Sequence, residues 1–320
     1  MLPKSRIFSA LTVGLGVMLL AWGLLAPYFL HFDGRMPLDL RNTTLTLTDD
    51  QAKARIPQQD KVITVPVTRQ YHAQFMDPVD TNSVTARIGV TTMRESNQDE
   101  LDRLIDATVW SYRLDRFTGQ ALTDATMADQ PASAAKQVPI DSLWVKFPSN
   151  AEQTTYQVFD PVLRDSAPAV FEEETQMGGR TIYRYHQEIK PTDVAARYSS
   201  VFNTIEVSSD ADEEAATTAN LYHSGTRDYY VDQVSGLIVD IKEQIDDYYG
   251  DSSGKKIEQA LLFDGQGSQE QTDALVAQAA TVPDGHVGRI VSYVILSLGI
   301  LLTVLGLAGS FGIFKRKRTS

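Results

Sequence analysis

Three kinds of residue pattern in this chain could do chemistry. Ser133–Lys136 and Ser252–Lys255 have the Ser-x-x-Lys spacing that, at a helix start, lets a lysine serve a serine nucleophile. One lies in an Ala-rich stretch of loop character and the other in a glycine-bounded turn, so both lack that context. Asp210-Ala-Asp212-Glu213-Glu214 and Asp246-Asp247 could offer oxygen ligands to calcium. The first has no glycine to close a calcium loop, and neighbouring carboxylates on a strand point to opposite faces. The histidines, His31, His72, His186, His223 and His286, are never two or four apart, so no local metal pair exists. Gly-x-Ser-x-Gly, phosphate-loop and His-Glu-x-x-His motifs are absent, and so is cysteine. These patterns lead to the expectation of a non-enzyme with no catalytic residue, no metal and no cofactor.

The third pattern repeats. Tyr112–Gly119 reads YRLDRFTG and Tyr229–Gly236 reads YYVDQVSG. Asp115 and Thr118 in one copy, Asp232 and Ser235 in the other, can cap backbone N–H groups inside a tight turn. Gly119 and Gly236 supply the positive φ that closes a hairpin. Tyr112 and Tyr229 stand three residues before the aspartate, on the opposite strand face, so an inward tyrosine leaves aspartate in solvent. The arginines flanking Asp115, Arg113 and Arg116, have no counterpart in the second copy. What the copies share is what a turn needs, and both read as structural.

Strands must position these turns. Apolar-polar alternation runs through Asn42–Thr48, Lys61–Tyr71, Ser83–Met93, Thr108–Leu114, Leu143–Phe147, Thr154–Phe159 and Arg180–Ile189, and again after Tyr229. Alternation of this kind means antiparallel sheet with one wetted face. Helical spacing is expected over Ser96–Asp106, Lys190–Phe202 and Ser268–Ala280. Asp124–Gln137 and Ser208–Asn220, poor in large apolar residues, read as loops. The expected class is α+β and β-rich: curved antiparallel sheets with a few short helices, flanked by transmembrane helices at both ends.

Ile7–Phe32 and Ile290–Phe314 contain no Asp, Glu, Lys or Arg, and each is longer than the ~20 residues that span a bilayer. Lys4 and Arg6 precede the first; Lys315, Arg316, Lys317 and Arg318 follow the second. The positive-inside rule then puts both termini in the cytoplasm and 33–289 outside the plasma membrane. The first run is too long for a cleaved signal peptide and reads as an anchor. Ala10 with Gly14, and Gly306 with Ser310, offer small-residue contacts between the two helices. The expected organisation is a cytoplasmic tip with helix 1 (1–32), an outer domain (33–289), helix 2 (290–314) and a basic tail (315–320). Within the outer domain two similar halves are expected, about 42–140 and 141–265. Its 23 basic residues face 41 acidic ones, a difference of −18 that repels nucleic acid. A large exported domain without cysteine suits a bacterial envelope.

The segments VWSYRLDRFTGQAL, LWVKFPSNAEQTTYQVFDPVL and RTIYRYHQEI…DYYVDQVSGLIVDIKEQ resemble the actinobacterial "porin PorA" family of two-pass envelope proteins. The resemblance implies the two-anchor topology over nearly the whole chain and supplies no site residues. Its porin label implies a pore-associated role, although a transmembrane barrel would need strands with apolar bands and aromatic girdles. The Asp-x-x-Thr-Gly hairpin is also similar to those of LolA/LppX-type lipid carriers, curved sheets around an apolar cavity. The expectation is a non-enzymatic protein that holds an envelope lipid or glycolipid, with membrane lipids around its anchors. Trp110, Tyr112, Tyr183, Tyr185 and Tyr229 are the candidate lining. A scaffold for other envelope proteins and a pore-associated protein are the alternatives.

Overall fold

A computed structural model of the chain describes residues 4–29, 34–57, 61–95, 103–129, 134–209 and 212–311. His31, the start of the expected helix at Ser96, Ser133, Asp210 and the basic tail Lys315–Arg318 lie outside the described residues. The chain forms two compact units: Met36–Val282, and Met1–Arg35 together with Pro283–Ser320. The described helices are α1 (Lys4–Phe29), α2 (Gln269–Ala279) and α3 (Gly285–Ser310).

The unit Met36–Val282 is built on one sheet. Its strands are β1 (Thr44–Asp49), β2 (Lys53–Ile56), β3 (Lys61–Thr64), β4 (Val67–Val79) and β5 (Ser83–Arg94). Next come β6 (Leu104–Asp115), β7 (Ala125–Ala128), β8 (Lys136–Val138), β9 (Tyr156–Asp160) and β10 (Asp165–Met177). The rest are β11 (Arg180–Asp193), β12 (Thr204–Ser209), β13 (Asp212–Asp232), β14 (Ile238–Gly250) and β15 (Lys256–Gln266). The order is β8-β7-β6-β5-β4-β1-β15-β14-β13-β11-β10-β9, with β12 on β13, β2 on β15 and β3 on β2. The ladders within it are antiparallel, as the alternation requires. The sheet runs unbroken across the two expected halves, because β1 pairs with β4 on one side and with β15 on the other. Bulges at Phe171/Glu173, Ile189/Thr192 and Tyr230/Val231 bend its strands.

One face of the sheet is buried. Val84, Ala86, Ile88 and Val90 of β5 and Trp110, Tyr112 and Leu114 of β6 point into a common core, two residues apart as the pleat demands. A second cluster joins Tyr185, Tyr229, Val231, Ile245 and Phe263 to Leu143 and Phe147. Residues 142–151 thread across this face. Leu143–Phe147, expected as a strand, makes only single bridges, Leu143 with Val158 and Lys146 with Leu237. At one end Leu143 bonds Gln157 O and Phe159 N of β9, and at the other Phe147 N bonds Gly236 O, so no ladder extends.

Other expectations are corrected. Asp124–Gln137 is not loop throughout: β7 and β8 occupy its ends, because Ala125 and Met127 alternate inward and are fully buried, and 130–133 lie outside the described residues. The Ser208–Asn220 stretch belongs largely to the β12–β13 hairpin, where Glu206 pairs with Thr218 and Val207 with Thr217. Strand pairing satisfies that polar backbone whatever the side chains. Lys190–Phe202 is not a helix. Arg197 and Tyr198 donate to Val194 O in a single turn, and Asn203 Nδ2 caps Tyr198 O. Leu104–Asp106 is strand. The expected helix Ser268–Ala280 is α2, with the Ser268 hydroxyl capping Gln271 N.

In the other unit, Ile7–Ala26 of α1 and Ile290–Ser310 of α3 are long and apolar enough to cross a membrane. They touch through glycine. A Cβ on Gly16 would meet Thr303 Oγ1 at 2.4 Å, and one on Gly306 would meet Val13 N at 2.7 Å. Gly16 and Gly23, like Gly299 and Gly306, are seven apart and share a helix face. Gly14, expected at the contact with Ala10, has nothing within 4 Å of its would-be Cβ. At ~100° per residue it points away from the face that Gly16 occupies.

Candidate functional site: an apolar cavity beside a buried charge row

A cavity of about 120 Å³ lies inside the sheet unit. Its walls come from Tyr71, Ala73 and Phe75 of β4, Ile88 of β5, Ile238 and Ile241 of β14, and Trp144 and Phe159. Leu275 of α2 and Met36 and Leu40 of the entering chain close another side. Asn42, also in the lining, is solvent-exposed, so the lining reaches the surface there. Gln278 of α2 fixes that edge: its Oε1 accepts from Arg41 N and Asn42 N, and its Nε2 donates to Asn42 O. A dry apolar cavity of about 150 Å³ takes up benzene, so this one suits roughly five or six carbons.

Next to the cavity runs a row of buried charges. Arg69 on β4 pairs with Glu243 on β14 at 3.1 Å, and Glu243 also accepts from Arg227 on β13. Arg227 pairs in turn with Asp160, and His223 lies 3.4 Å from Asp160 and binds Asp247 through Nδ1. Tyr71 donates to Glu243, and Tyr229 donates to Gln187, which also accepts from Arg227. Arg69 with Tyr71, and Arg227 with Tyr229, are two residues apart on their strands and so share the buried face. Burial alone would push the Asp160 carboxyl up; Arg227 and His223 hold it far below the usual range. Burial alone would lower His223, but Asp247 and Asp160 raise it to about 10. Burial drives Tyr71 up to about 12. The row places alternating signs in contact, which is how buried ions are tolerated.

Of the five expected lining residues, Tyr229 lines this cavity. Trp110 stands edge-on to Trp144 and Phe159, both at 5.5 Å, and Tyr112 stacks on Trp144. They fill solid core because β6 lies beyond the ring of Trp144. Tyr185 stacks on Phe147 at 4.9 Å, and half-buried Tyr183 packs edge-on against Phe171. Tyr71, Phe75 and Trp144 were missed. Two Arg-x-Tyr pairs in alternating strands, Arg69–Tyr71 and Arg227–Tyr229, were the available signal.

The echoed turns have matching hydrogen bonds. Asp115 accepts from Thr118 N and Oγ1, and Gly119 N donates to Asp115 O. Asp232 accepts from Ser235 N and Oγ, and Gly236 N donates to Asp232 O. Gly119 has φ +77° and Gly236 φ +70°. One expectation is corrected: Asp232 is fully buried, because Arg180 covers it with two hydrogen bonds of 2.8 and 2.7 Å. Between the turns lies Lys146, fully buried, its Nζ donating to Phe117 O, Phe147 O and Ser149 Oγ. Burial lowers it to about 7, against a smaller upward pull from Asp115. Ser149 Oγ donates to Ser235 O, so one lysine-centred cluster joins both turns.

No group of three or more His, Asp or Glu residues poised for a metal ion occurs among the described residues. A family model described as Porin PorA matches residues 8–308. A protein named Porin PorA from Corynebacterium resistens (strain DSM 45100 / JCM 12819 / GTC 2026 / SICGH 158) is 24% identical over 226 residues. The match covers 60% of this chain and 54% of that relative, so the chain spans about half the relative's length. The two apolar helices and this membership together mark a membrane protein. With nearly its whole length matched, the chain belongs to the Porin PorA family.

Proposed function

We propose that this is a non-enzymatic, double-anchored envelope protein whose sheet unit holds a hydrocarbon segment of an envelope lipid or glycolipid. The observation that carries the reading is the cavity lined by Ala73, Phe75, Ile88, Trp144 and Leu275. At about 120 Å³ it accommodates part of a chain, with the rest leaving past Asn42. The basic residues at both chain ends support cytoplasmic termini and an extracytoplasmic sheet unit. Native mass spectrometry of the full-length protein released from bilayers tests the reading. Bound lipid is expected, and Ala73→Phe, which fills the cavity, lowers its occupancy. A protein that carries no lipid, but co-purifies stoichiometrically with other envelope proteins, would make it a scaffold instead.

The family description favours a second reading, a pore-associated protein. Conductance in planar bilayers that is abolished by removing α1 and α3 would select it.

A further inference from the structure

We infer that the cavity selects a hydrocarbon segment bearing an uncharged oxygen acceptor, such as a hydroxyl or carbonyl, which Arg227 recognises. This rests on the hydrocarbon reading above and narrows it. Arg227 is the charged residue in the cavity lining, and it is 5% exposed. Its Nε donates to Glu243, and its Nη1 donates to Asp160 and Gln187. Among the described residues its Nη2 makes no hydrogen bond. A guanidinium has five N–H donors; three are used here, and the two on Nη2, at the cavity lining, are open to an acceptor that enters it.

The row's charge balance chooses the acceptor. Arg227 already touches two carboxylates, Glu243 and Asp160. Arg69, Arg227 and protonated His223 match Glu243, Asp160 and Asp247 one for one. A carboxylate ligand would add an unmatched buried negative charge, whereas a hydroxyl or carbonyl oxygen adds none. Tyr71 and Tyr229, both in the lining, have their hydroxyls engaged by Glu243 and Gln187, and Asn42, Thr44 and Gln278 bond Ala274 O, His72 and the 41–42 backbone, so Arg227 is the lining donor assigned to the ligand.

The test uses the full chain in phosphatidylcholine nanodiscs, with Trp22→Phe to silence the tryptophan of α1. Fluorescence quenching of the two remaining tryptophans, cavity-lining Trp144 and the Trp110 packed against it, is titrated with 1-bromoheptane, 7-bromoheptan-1-ol and 7-bromoheptanoate. In a purely apolar cavity the unpaired hydroxyl would weaken the alcohol roughly tenfold to hundredfold relative to the bromoalkane. The expected result is an alcohol that half-saturates at or below the bromoalkane concentration, with the carboxylate weaker. Arg227→Lys keeps the positive charge but removes Nη2. It is expected to lose roughly tenfold in alcohol binding relative to bromoalkane binding measured in the same variant. An alcohol tenfold or more weaker than the bromoalkane in the parent protein overturns the inference and leaves the hydrocarbon reading standing. So does a carboxylate that binds tightest, or an alcohol preference unchanged in Arg227→Lys. Absence of saturable quenching by all three ligands removes both.

Discussion

Gly119 and Gly236, 117 residues apart in the chain, close on consecutive carbonyls of the same segment. A Cβ on Gly119 would lie 2.2 Å from Lys146 O, and one on Gly236 would lie 2.0 Å from Phe147 O. Both glycines have positive φ, and both follow an aspartate-capped turn. The repeated octapeptide is therefore a pair of brackets. It grips the 142–151 segment that carries Trp144 into the cavity wall.

Gly119→Ala and Gly236→Ala each combine a disfavoured φ with a backbone clash. Each is expected to lose more than about 2 kcal/mol, read as a lower midpoint in urea unfolding of the full chain. Gly179→Ala, at φ +78° with open space around it, is the control and should lose about 1 kcal/mol.

Lys146→Met keeps the side-chain length but leaves Phe147 O without a donor, while Phe117 O keeps Ser149 N and Ser149 Oγ keeps its bond to Ser235 O. The expected cost is about 1–3 kcal/mol, because a buried acceptor left unpaired loses its full desolvation energy. Chemical denaturation of the variant measures it.

Lys146 and His223 give opposite pH dependences. Burial depresses Lys146 to about 7, so its unfolded form binds more protons between pH 7 and 10.5, and stability rises with pH there. His223 is raised to about 10 against burial by Asp247 and Asp160. Its contribution is complete below pH 6.5 and is lost as pH rises to 10. Stability measured from pH 6.5 to 10 should therefore fall more steeply in Lys146→Met than in the parent. It should rise in His223→Gln.

Ser9 and Gly309 test the helix pair. A Cβ on Gly309 would stand 3.4 Å from Ser9 Cβ, close to disulfide geometry. The natural chain has no cysteine, so Ser9→Cys with Gly309→Cys adds the one possible bridge. Oxidation should give a faster-migrating monomer on a non-reducing gel. Crosslinked dimers would instead place the glycine faces between copies.

The sequence made the strands and the turns legible because their signals are local. Alternation at Ser83–Met93 and the Asp-x-x-Ser/Thr-Gly turns each need only neighbours within a few residues. Two features escaped because they depend on distant partners. Asp232 reads as a solvent tip until Arg180 is brought over it by the β11–β13 ladder. Arg69, Glu243, Arg227 and Asp160 come from four strands far apart in the chain, so no spacing rule joins them. The lining failed at Trp110 and Tyr112 for a related reason. Both are inward and aromatic, but whether an inward ring meets a cavity or another ring depends on Trp144, which is held by the brackets.

Photocrosslinking tests the central claim most directly. Leu40, in the cavity lining, is replaced by p-benzoylphenylalanine in the full-length protein, which is irradiated in its native membrane and analysed by intact mass. Adducts of lipid mass are expected at position 40 and not at exposed Ile257 on β15. Ala73→Phe should reduce them. Absence of lipid adducts at position 40, or equal yields at both positions, would contradict a cavity that holds hydrocarbon.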